Sequence, residues 1–199
     1  MKDLFKNALV EGIKVKTKLQ DYFYTNTFEE IGKLLVTSIV NNGKILFCGN
    51  GGSAADAQHL AAELLVRLRP NVNRNPIPAI ALAMDTSTIT ACGNDFGYDH
   101  IFERNVLALG KKEDVLVCIS TSGMSQNLVL AAVAAKSLGI NTIGFLGNGG
   151  GILKKHCDYS LVVPSENTAR IQECHIVFGH ALMELLEDNL LDIGYIKKY

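Results

Sequence analysis

The chain begins with two stretches in which apolar residues recur at helical spacing. The first covers residues 3–25, with a break at Thr25-Asn26-Thr27, and the second runs from Thr27 to about Val40, where Asn41-Asn42-Gly43 ends it. This spacing predicts two helices, which together form an N-terminal helical arm over residues 1–42. A hairpin that precedes the first strand cannot bury both of its faces on one sheet. Its spare apolar stripe therefore predicts a subunit interface.

From residue 43 onward, short continuous apolar runs alternate with stretches of helical spacing. Continuous runs are typical of strands that are covered on both faces, and they lie at 44–48, 78–83, 114–119, 141–146 and 159–163. The helical stretches lie at 53–69, 86–93, 99–109, 127–138, 149–155 and 167–192. This alternation predicts an α/β core over 43–199, with a five-stranded parallel, doubly wound sheet. We expect the arm and the core to form one domain over 1–199.

Composition narrows the class of protein further. The 199 residues are 48% hydrophobic, a content that excludes a disordered chain. The net charge of −1 gives no basic surface that would attract nucleic acid or an anionic membrane. No apolar run approaches the roughly 20 residues that cross a bilayer, and the N-terminus lacks the apolar core of a signal peptide. The five cysteines form no C-x-x-C pair and are typical of small core residues in a reducing compartment. We expect a cytoplasmic protein without nucleic-acid or membrane partners.

A glycine loop follows the first predicted strand. Asn50, Gly51 and Gly52 lead directly into a helix signal, for which Ser53 is a suitable N-cap and Asp56 a suitable acid of a capping box. The free amides of such a loop and the positive end of the helix dipole together form an anion site. The spacing matches neither G-x-x-x-x-G-K-[ST] nor G-x-G-x-x-G, which argues against a nucleoside triphosphate or a dinucleotide.

A second candidate anion site follows the third predicted strand. Ser120, Thr121, Ser122 and Ser125 place four hydroxyls within six residues, just before a helix. O–H and N–H donors in this arrangement surround a phosphate, although the same residues also cap helices and turn the chain. Because ligands collect at the carboxyl ends of parallel strands, where the glycine loop also lies, we favour the phosphate interpretation.

Two predicted helices carry residues suited to acid–base or metal chemistry. His59 and Glu63 lie one turn apart, a spacing that suits two ligands of one divalent metal or a solvated ion pair. Their apolar neighbours indicate a largely buried helix, where a polar pair needs partners. Gln172 and His180 lie about 12 Å apart along the last helix, so both reach one metal only if their side chains lean together. His180 also fits a core histidine, and His175 faces another side of the helix.

The segment between the second and third strands is polar and rich in glycine. Asn94 and Asp95 offer hydrogen bonds to sugar hydroxyls, and a simple turn between two helices is an equally good interpretation.

Four of these stretches together resemble a known family. Gly49–Ser53, Gly93–Tyr98, Ser120–Gly123 with Ser125, and Arg170–Glu173 are similar to the phosphoheptose isomerases of the sugar isomerase (SIS) domain superfamily, over essentially the whole chain. The resemblance implies a flavodoxin-like SIS fold and a cytoplasmic homotetramer with active sites between subunits and one zinc ion per subunit. It also implies conversion of sedoheptulose 7-phosphate to D-glycero-D-manno-heptopyranose 7-phosphate, the first step towards the ADP-heptose of lipopolysaccharide core.

The resemblance also assigns roles to individual residues. Glu63 and His180 would be the acid–base pair, and zinc would be bound by His59, Glu63, Gln172 and His180. The substrate would contact Asn50, Gly51, Gly52, Glu63, Asn94, Asp95, Ser120, Thr121, Ser122, Ser125 and Gln172. Met124 departs from the family, in which a small polar residue is expected at the rim of the phosphate loop.

Two alternatives stay open on the sequence alone. The first is another sugar-phosphate isomerase of the same fold. The second is a non-catalytic binding protein, because residues 54–59 also resemble a sister branch that associates with the bacterial replication initiator. That branch lacks the acid and the histidine corresponding to Glu63 and His180, and this chain has both.

Overall fold

The computed structural model describes residues 2–23 and 27–199. Its α-helices are α1 (Lys2–Phe23), α2 (Thr27–Val40), α3 (Gly52–Leu65), α4 (Thr86–Asp95), α5 (Ile101–Leu109), α6 (Gln126–Ser137) and α7 (Thr168–Asp192). Its strands are β1 (Ile45–Gly49), β2 (Ala79–Ala81), β3 (Val115–Ser120), β4 (Asn141–Leu146) and β5 (Tyr159–Val162). Within these described ranges, no helix is both long enough and apolar enough to cross a membrane.

The five strands form one parallel sheet in the order β2-β1-β3-β4-β5. This confirms the predicted doubly wound α/β fold. One apolar core lies between the sheet and α2, α3 and α7, and a second lies between the sheet and α5 and α6. Because all strands run the same way, the loops after β1, β3 and β4 lie together at the carboxyl ends of the strands.

Several predicted boundaries differ from the observed ones, and one predicted helix is wrong. The helix expected over 149–155 is replaced by two short 3₁₀ segments, Asn148–Gly150 and Leu153–His156. Gly149, Gly150 and Gly151 all have positive φ angles, which an α-helix cannot accommodate. The helix expected over 99–109 begins with a 3₁₀ turn before α5. The break expected at 25–26 lies outside the described residues.

Helix α3 ends at Leu65, four residues before its predicted end at 69. The guanidinium of Arg74 donates hydrogen bonds to the carbonyl oxygens of Glu63 and Leu64, which takes up free acceptors at the end of this helix. Strand β2 is likewise shorter than predicted and covers only Ala79–Ala81 at the edge of the sheet.

The cysteines agree with the prediction of core residues. All five are free, and only Cys157 is less than fully buried. Cys48 and Cys118 face each other across β1 and β3, with their sulfur atoms 3.5 Å apart. The hydrogen bond from Cys48, together with burial, raises the pKa of the Cys118 thiol. The Cys118 thiol is therefore held in the unreactive protonated form.

Helix α1 packs against α7 and leaves a long apolar face uncovered. Phe5 is 72% exposed and Ile13 is 65% exposed, with the exposed Leu9 between them at a spacing of four residues, and Leu4 and Val10 are exposed as well. The contact with α7 is both apolar and polar: Val15 packs in a buried cluster with Ile171 and Cys174, and Arg170 donates a hydrogen bond to the carbonyl oxygen of Ala8. An exposed apolar face of this size is typical of a protein–protein contact.

Candidate active site

The first glycine loop starts α3 in a different way from the prediction. Gly51 is the N-cap, with φ 56° and ψ −121°, a conformation that only glycine adopts readily. The helix therefore begins at Gly52, and Ser53 lies buried in its first turn rather than at the cap. The predicted capping box is wrong: the Oδ2 atom of Asp56 is buried without a hydrogen-bond partner among the described residues. Burial raises the pKa of the Asp56 carboxyl, and His59 offsets part of the rise.

The side chain of Asn50 joins three loops. Its amide exchanges two hydrogen bonds of 2.9 Å with the amide of Asn127 at the start of α6, and Tyr98 donates a third bond of 2.9 Å to its Oδ1 atom. Both acceptor positions of Oδ1 are thereby occupied. Asn50 thus fixes the relative positions of the loops after β1, α4 and β3. Sequence analysis did not assign a role to Tyr98 or Asn127, because their partner lies 48 and 77 positions away.

A small cavity lies where the glycine loop, residues 50–52, meets the loop of residues 120–125 after β3, called the serine loop below. Its volume is about 80 Å³, and it is lined by Asn50, Ser53, Ile119, Ser120, Thr121, Ser122 and Ser125. The hydroxyl oxygen of Ser120 accepts a bond of 3.0 Å from the Gly123 amide, and that of Ser122 accepts one of 3.2 Å from the Met124 amide. Each hydroxyl keeps its own hydrogen free to donate. At about 30 Å³ per water molecule, the cavity has room for a group of several atoms.

The glycine loop after β4 supports the serine loop from the other side. Gly123 has a φ of 64°, and a Cβ atom at this position would collide with the carbonyl group of Gly150. Asn148 donates a hydrogen bond of 3.2 Å to the carbonyl oxygen of Thr121. The side chain of Met124 points away from this contact and is exposed, so the departure from the family pattern lies at the rim.

The histidines and the acid predicted as a metal or acid–base group come together between α3 and α7. The Nε2 atoms of His59 and His180 are 2.8 Å apart, and His59 Nε2 lies 3.4 Å from Glu63 Oε1. All three ligand atoms lie within 4.8 Å of one another. Two ligands of a tetrahedral zinc ion lie roughly 3.3 Å apart, so this donor set fits zinc after a small adjustment. Of the two side chains in the His59–Glu63 pair, that of Glu63 is the more buried.

Gln172 lies at a different level of the same two helices. Its amide packs so closely over Gly52 that a Cβ atom there would collide with it. This contact places the Gln172 amide beside the glycine loop, and Gly52 precedes His59 by about 10 Å along α3. Asn94 and Asp95 lie at the exposed end of α4, where the Asn94 amide donates a bond of 2.8 Å to the Asp95 carboxylate. Asp95 faces a separate cavity between α4 and α5.

Comparison with known proteins agrees with this geometry. A family model described as the SIS domain matches residues 15–147. The phosphoheptose isomerase of Clostridium acetobutylicum is 47% identical over 191 residues, which cover 96% of each chain. The chain belongs to the phosphoheptose isomerase family. A second member, from Sulfurimonas denitrificans, is 42% identical over 98% of this chain and 99% of its own.

Solved structures of phosphoheptose isomerases share the fold of this chain. The structure of the enzyme from Neisseria gonorrhoeae superposes with a TM-score of 0.87 at 39% identity, and covers 94% of this chain and 98% of its own. The structure from Francisella tularensis has a TM-score of 0.86 at 36% identity, with the same coverage. The N-terminal arm, the sheet and the last helix are thus all included in the family likeness.

Proposed function

We propose that the chain is a phosphoheptose isomerase that converts sedoheptulose 7-phosphate to D-glycero-D-manno-heptopyranose 7-phosphate. The observation that carries this proposal is the identity of 47% over 96% of the chain with a protein of that name. The product is the precursor of ADP-heptose for lipopolysaccharide core or related surface sugars. No observation favours the alternative of a replication-initiator partner, and the chain retains both Glu63 and His180.

The reaction moves a hydrogen between C1 and C2 of the sugar through an enediol. Glu63 is positioned to remove the proton from one carbon and return it to the other, because it is held in a half-buried site beside two imidazoles. His180 exchanges protons at the sugar oxygens, including the step that opens the ring. The contact of 2.8 Å between His59 and His180 offers a path for that proton between the two rings.

The phosphate end of the substrate fits the serine loop. Ser120 and Ser122 line a cavity that also lies at the start of α6, where the helix dipole favours an anion. Binding energy at the phosphate then orients the reacting end of the sugar. Gly51 and Gly52 have no side chains and let the sugar approach the backbone, and we keep Asn94, Asp95 and Gln172 as candidate sugar contacts.

We propose zinc as the cofactor, with one ion per subunit. His59, Glu63 and His180 would hold it, and Gln172 remains the predicted fourth ligand. When bound, zinc supplies Lewis acidity that polarises the C1 or C2 oxygen of the sugar. A carboxylate that ligates a metal is a weaker base, so Glu63 would not serve as ligand and as base at the same instant.

The proposed assembly is a cytoplasmic homotetramer with active sites between subunits, in which residues 1–199 form one SIS domain. The uncovered apolar face of α1 favours self-association. The five free cysteines favour a reducing compartment.

An NMR time course with sedoheptulose 7-phosphate, with and without added zinc, tests the function directly. We expect the aldose product to accumulate to equilibrium, faster with zinc. Ketose phosphates of five and six carbons, assayed in parallel, test the alternative that the chain isomerises another sugar phosphate. A chain that converts one of them faster than the heptulose would contradict the proposed substrate.

A further inference from the structure

A buried arginine lies directly behind the predicted catalytic base. Arg74 belongs to the loop between α3 and β2, and only 4% of it is exposed. Its guanidinium donates hydrogen bonds to the carbonyl oxygens of Glu63 over 2.9 Å, Leu64 over 2.8 Å and Asn75 over 3.0 Å. The last carbonyl groups of a helix lack intrahelical hydrogen-bond donors, and Arg74 supplies donors to those at the end of α3, including the carbonyl of Glu63 itself.

The same guanidinium holds α7. Its Nε atom lies 2.7 Å from the Oε2 atom of Glu187, which is 1% exposed. Glu187 follows His180 by seven residues, about two turns of the helix, and therefore lies on nearly the same face. The second oxygen of Glu187 accepts a bond of 2.7 Å from Arg69, whose guanidinium also binds the exposed Asp188.

A second contact joins α3 and α7 close to the cluster. Gly179 packs so closely on Leu60 that an added Cβ atom would lie 2.7 Å from the leucine side chain. Leu60 directly follows His59, and Gly179 directly precedes His180. The helices are thus joined at two levels, by Gly179 against Leu60 and by Arg74 together with Glu187.

We propose that Arg74 is a positioning residue for the acid–base and metal cluster. It acts through the backbone of Glu63 on one side and through Glu187 on the other, and it sets the separation and register of α3 and α7. This inference rests on the proposed function of Glu63 and His180. The planar guanidinium has several N–H donors and binds two helix carbonyls and a carboxylate at once, whereas a lysine ammonium lacks this planar set of donors.

The chain provides a matched control for this role. Arg69 binds the same carboxylate of Glu187, and within the described part of the chain its side chain makes no hydrogen bond to α3. The variants Arg74→Lys and Arg69→Lys therefore both keep the charge and both weaken the link to Glu187. They differ in whether the carbonyl contact at Glu63 is lost.

The experiment compares the two variants in two measurements. Cobalt titration of the metal-stripped protein, followed by its visible absorption, reports the geometry of the ligand set without any sugar. We expect Arg74→Lys to weaken cobalt affinity by about 10–100-fold, the usual cost of losing a partner outside the ligand shell. Turnover of sedoheptulose 7-phosphate should show a similar loss in kcat with KM unchanged, while Arg69→Lys stays at the wild-type values.

Equal losses in the two lysine variants, or wild-type cobalt affinity and kcat in Arg74→Lys, would overturn the inference. If Arg74→Lys does not fold, Glu187→Gln replaces it: weaker cobalt binding in that variant supports the role, and unchanged binding contradicts it. A wild-type protein that binds cobalt but does not isomerise the sugar contradicts the proposed function and leaves the cobalt comparison valid.

Discussion

The Nε2 atoms of His59 and His180 lie 2.8 Å apart, although 121 positions of the chain separate the two residues. At this distance one ring carries the hydrogen and the other accepts it. The pair therefore holds an exchangeable proton within 4.8 Å of the Glu63 carboxylate. The proposed base, proton relay and metal ligands are thus all drawn from the same three side chains.

Replacing Glu63 by Gln removes the proposed base and keeps the shape of the side chain. We expect kcat for sedoheptulose 7-phosphate to fall by about 10²–10⁴-fold, the usual contribution of a general base. Product formation by NMR provides the measurement. Glu184→Gln, at an exposed position of α7, serves as the control and should turn over normally. Near wild-type turnover in Glu63→Gln would show that another group is the base.

Removing a histidine from the cluster should remove the metal. For His59→Ala we expect zinc affinity to fall by more than about 100-fold, because loss of even an outer-shell partner costs about 10–100-fold. Metal content after dialysis against a chelator and zinc add-back provides the measurement. His156→Ala, in a 3₁₀ turn away from the cluster, should retain zinc. Equal zinc content in the two variants would contradict the proposed ligand set.

Replacing Asn127 by Ala tests the link between the loops. The change leaves the Asn50 amide without its reciprocal partner, a loss of about 1–3 kcal/mol for a buried polar group. We expect the Kd for inorganic phosphate, measured by calorimetry, to rise by about tenfold, which corresponds to 1.4 kcal/mol. The neighbouring Gln126→Ala variant is exposed and should bind normally. Unchanged phosphate binding in Asn127→Ala would mean that the loops hold their shape without this bond.

His175 should make the fold sensitive to acid. This side chain is fully buried beside Phe145, and burial lowers its pKa from 6.5 to about 4. Both ring nitrogens of His175 are buried without a hydrogen-bond partner among the described residues, and the Leu146 backbone offsets only part of the shift. The unfolded chain binds the proton more tightly, so stability is complete above about pH 6.5 and falls as the pH drops towards 4.

The size of this effect is about 3 kcal/mol at most, at 1.36 kcal/mol per pKa unit. Denaturant unfolding at pH 5 and pH 7.5 provides the measurement, at one protein concentration. The His175→Leu variant should lose less stability between the two values than the wild type does. The same loss in both proteins would assign the acid sensitivity to other groups.

The exposed face of α1 should mediate assembly. Ile13→Glu places a charge in the centre of this apolar face, and we expect it to shift the protein from tetramer to smaller species in light scattering. Lys14→Glu changes the charge at the adjacent exposed position and should leave the assembly intact. A tetramer in both variants would mean that another surface joins the subunits.

The sheet and most helices follow from local sequence. Apolar runs such as 114–119 are long enough and apolar enough to identify a strand without knowledge of its neighbours. The helix expected over 149–155 was wrong because three successive glycines adopt positive φ angles there, which the apolar residues that follow do not reveal. Likewise, Ser53 is a good N-cap in isolation, but Gly51 begins the helix first.

The site could be predicted only where its residues lie in short motifs. His59 and Glu63 share one helix turn, and Ser120–Ser125 share one loop, so their spacing carries information. Arg74, Glu187 and Asn127 bind partners more than ten positions away in sequence, and no local pattern reveals such contacts. These residues support the site, and the three-dimensional structure was needed to find them.

The order in which the chain is synthesised gives the three-residue cluster a further property. Helix α3 leaves the ribosome early with His59 and Glu63, but His180 lies on α7, the last helix of the chain. Two ligands one turn apart bind a metal far more weakly than a completed set, so the nascent chain has no finished site to load. A metal that requires all three ligands is therefore bound only after α7 has docked against α3.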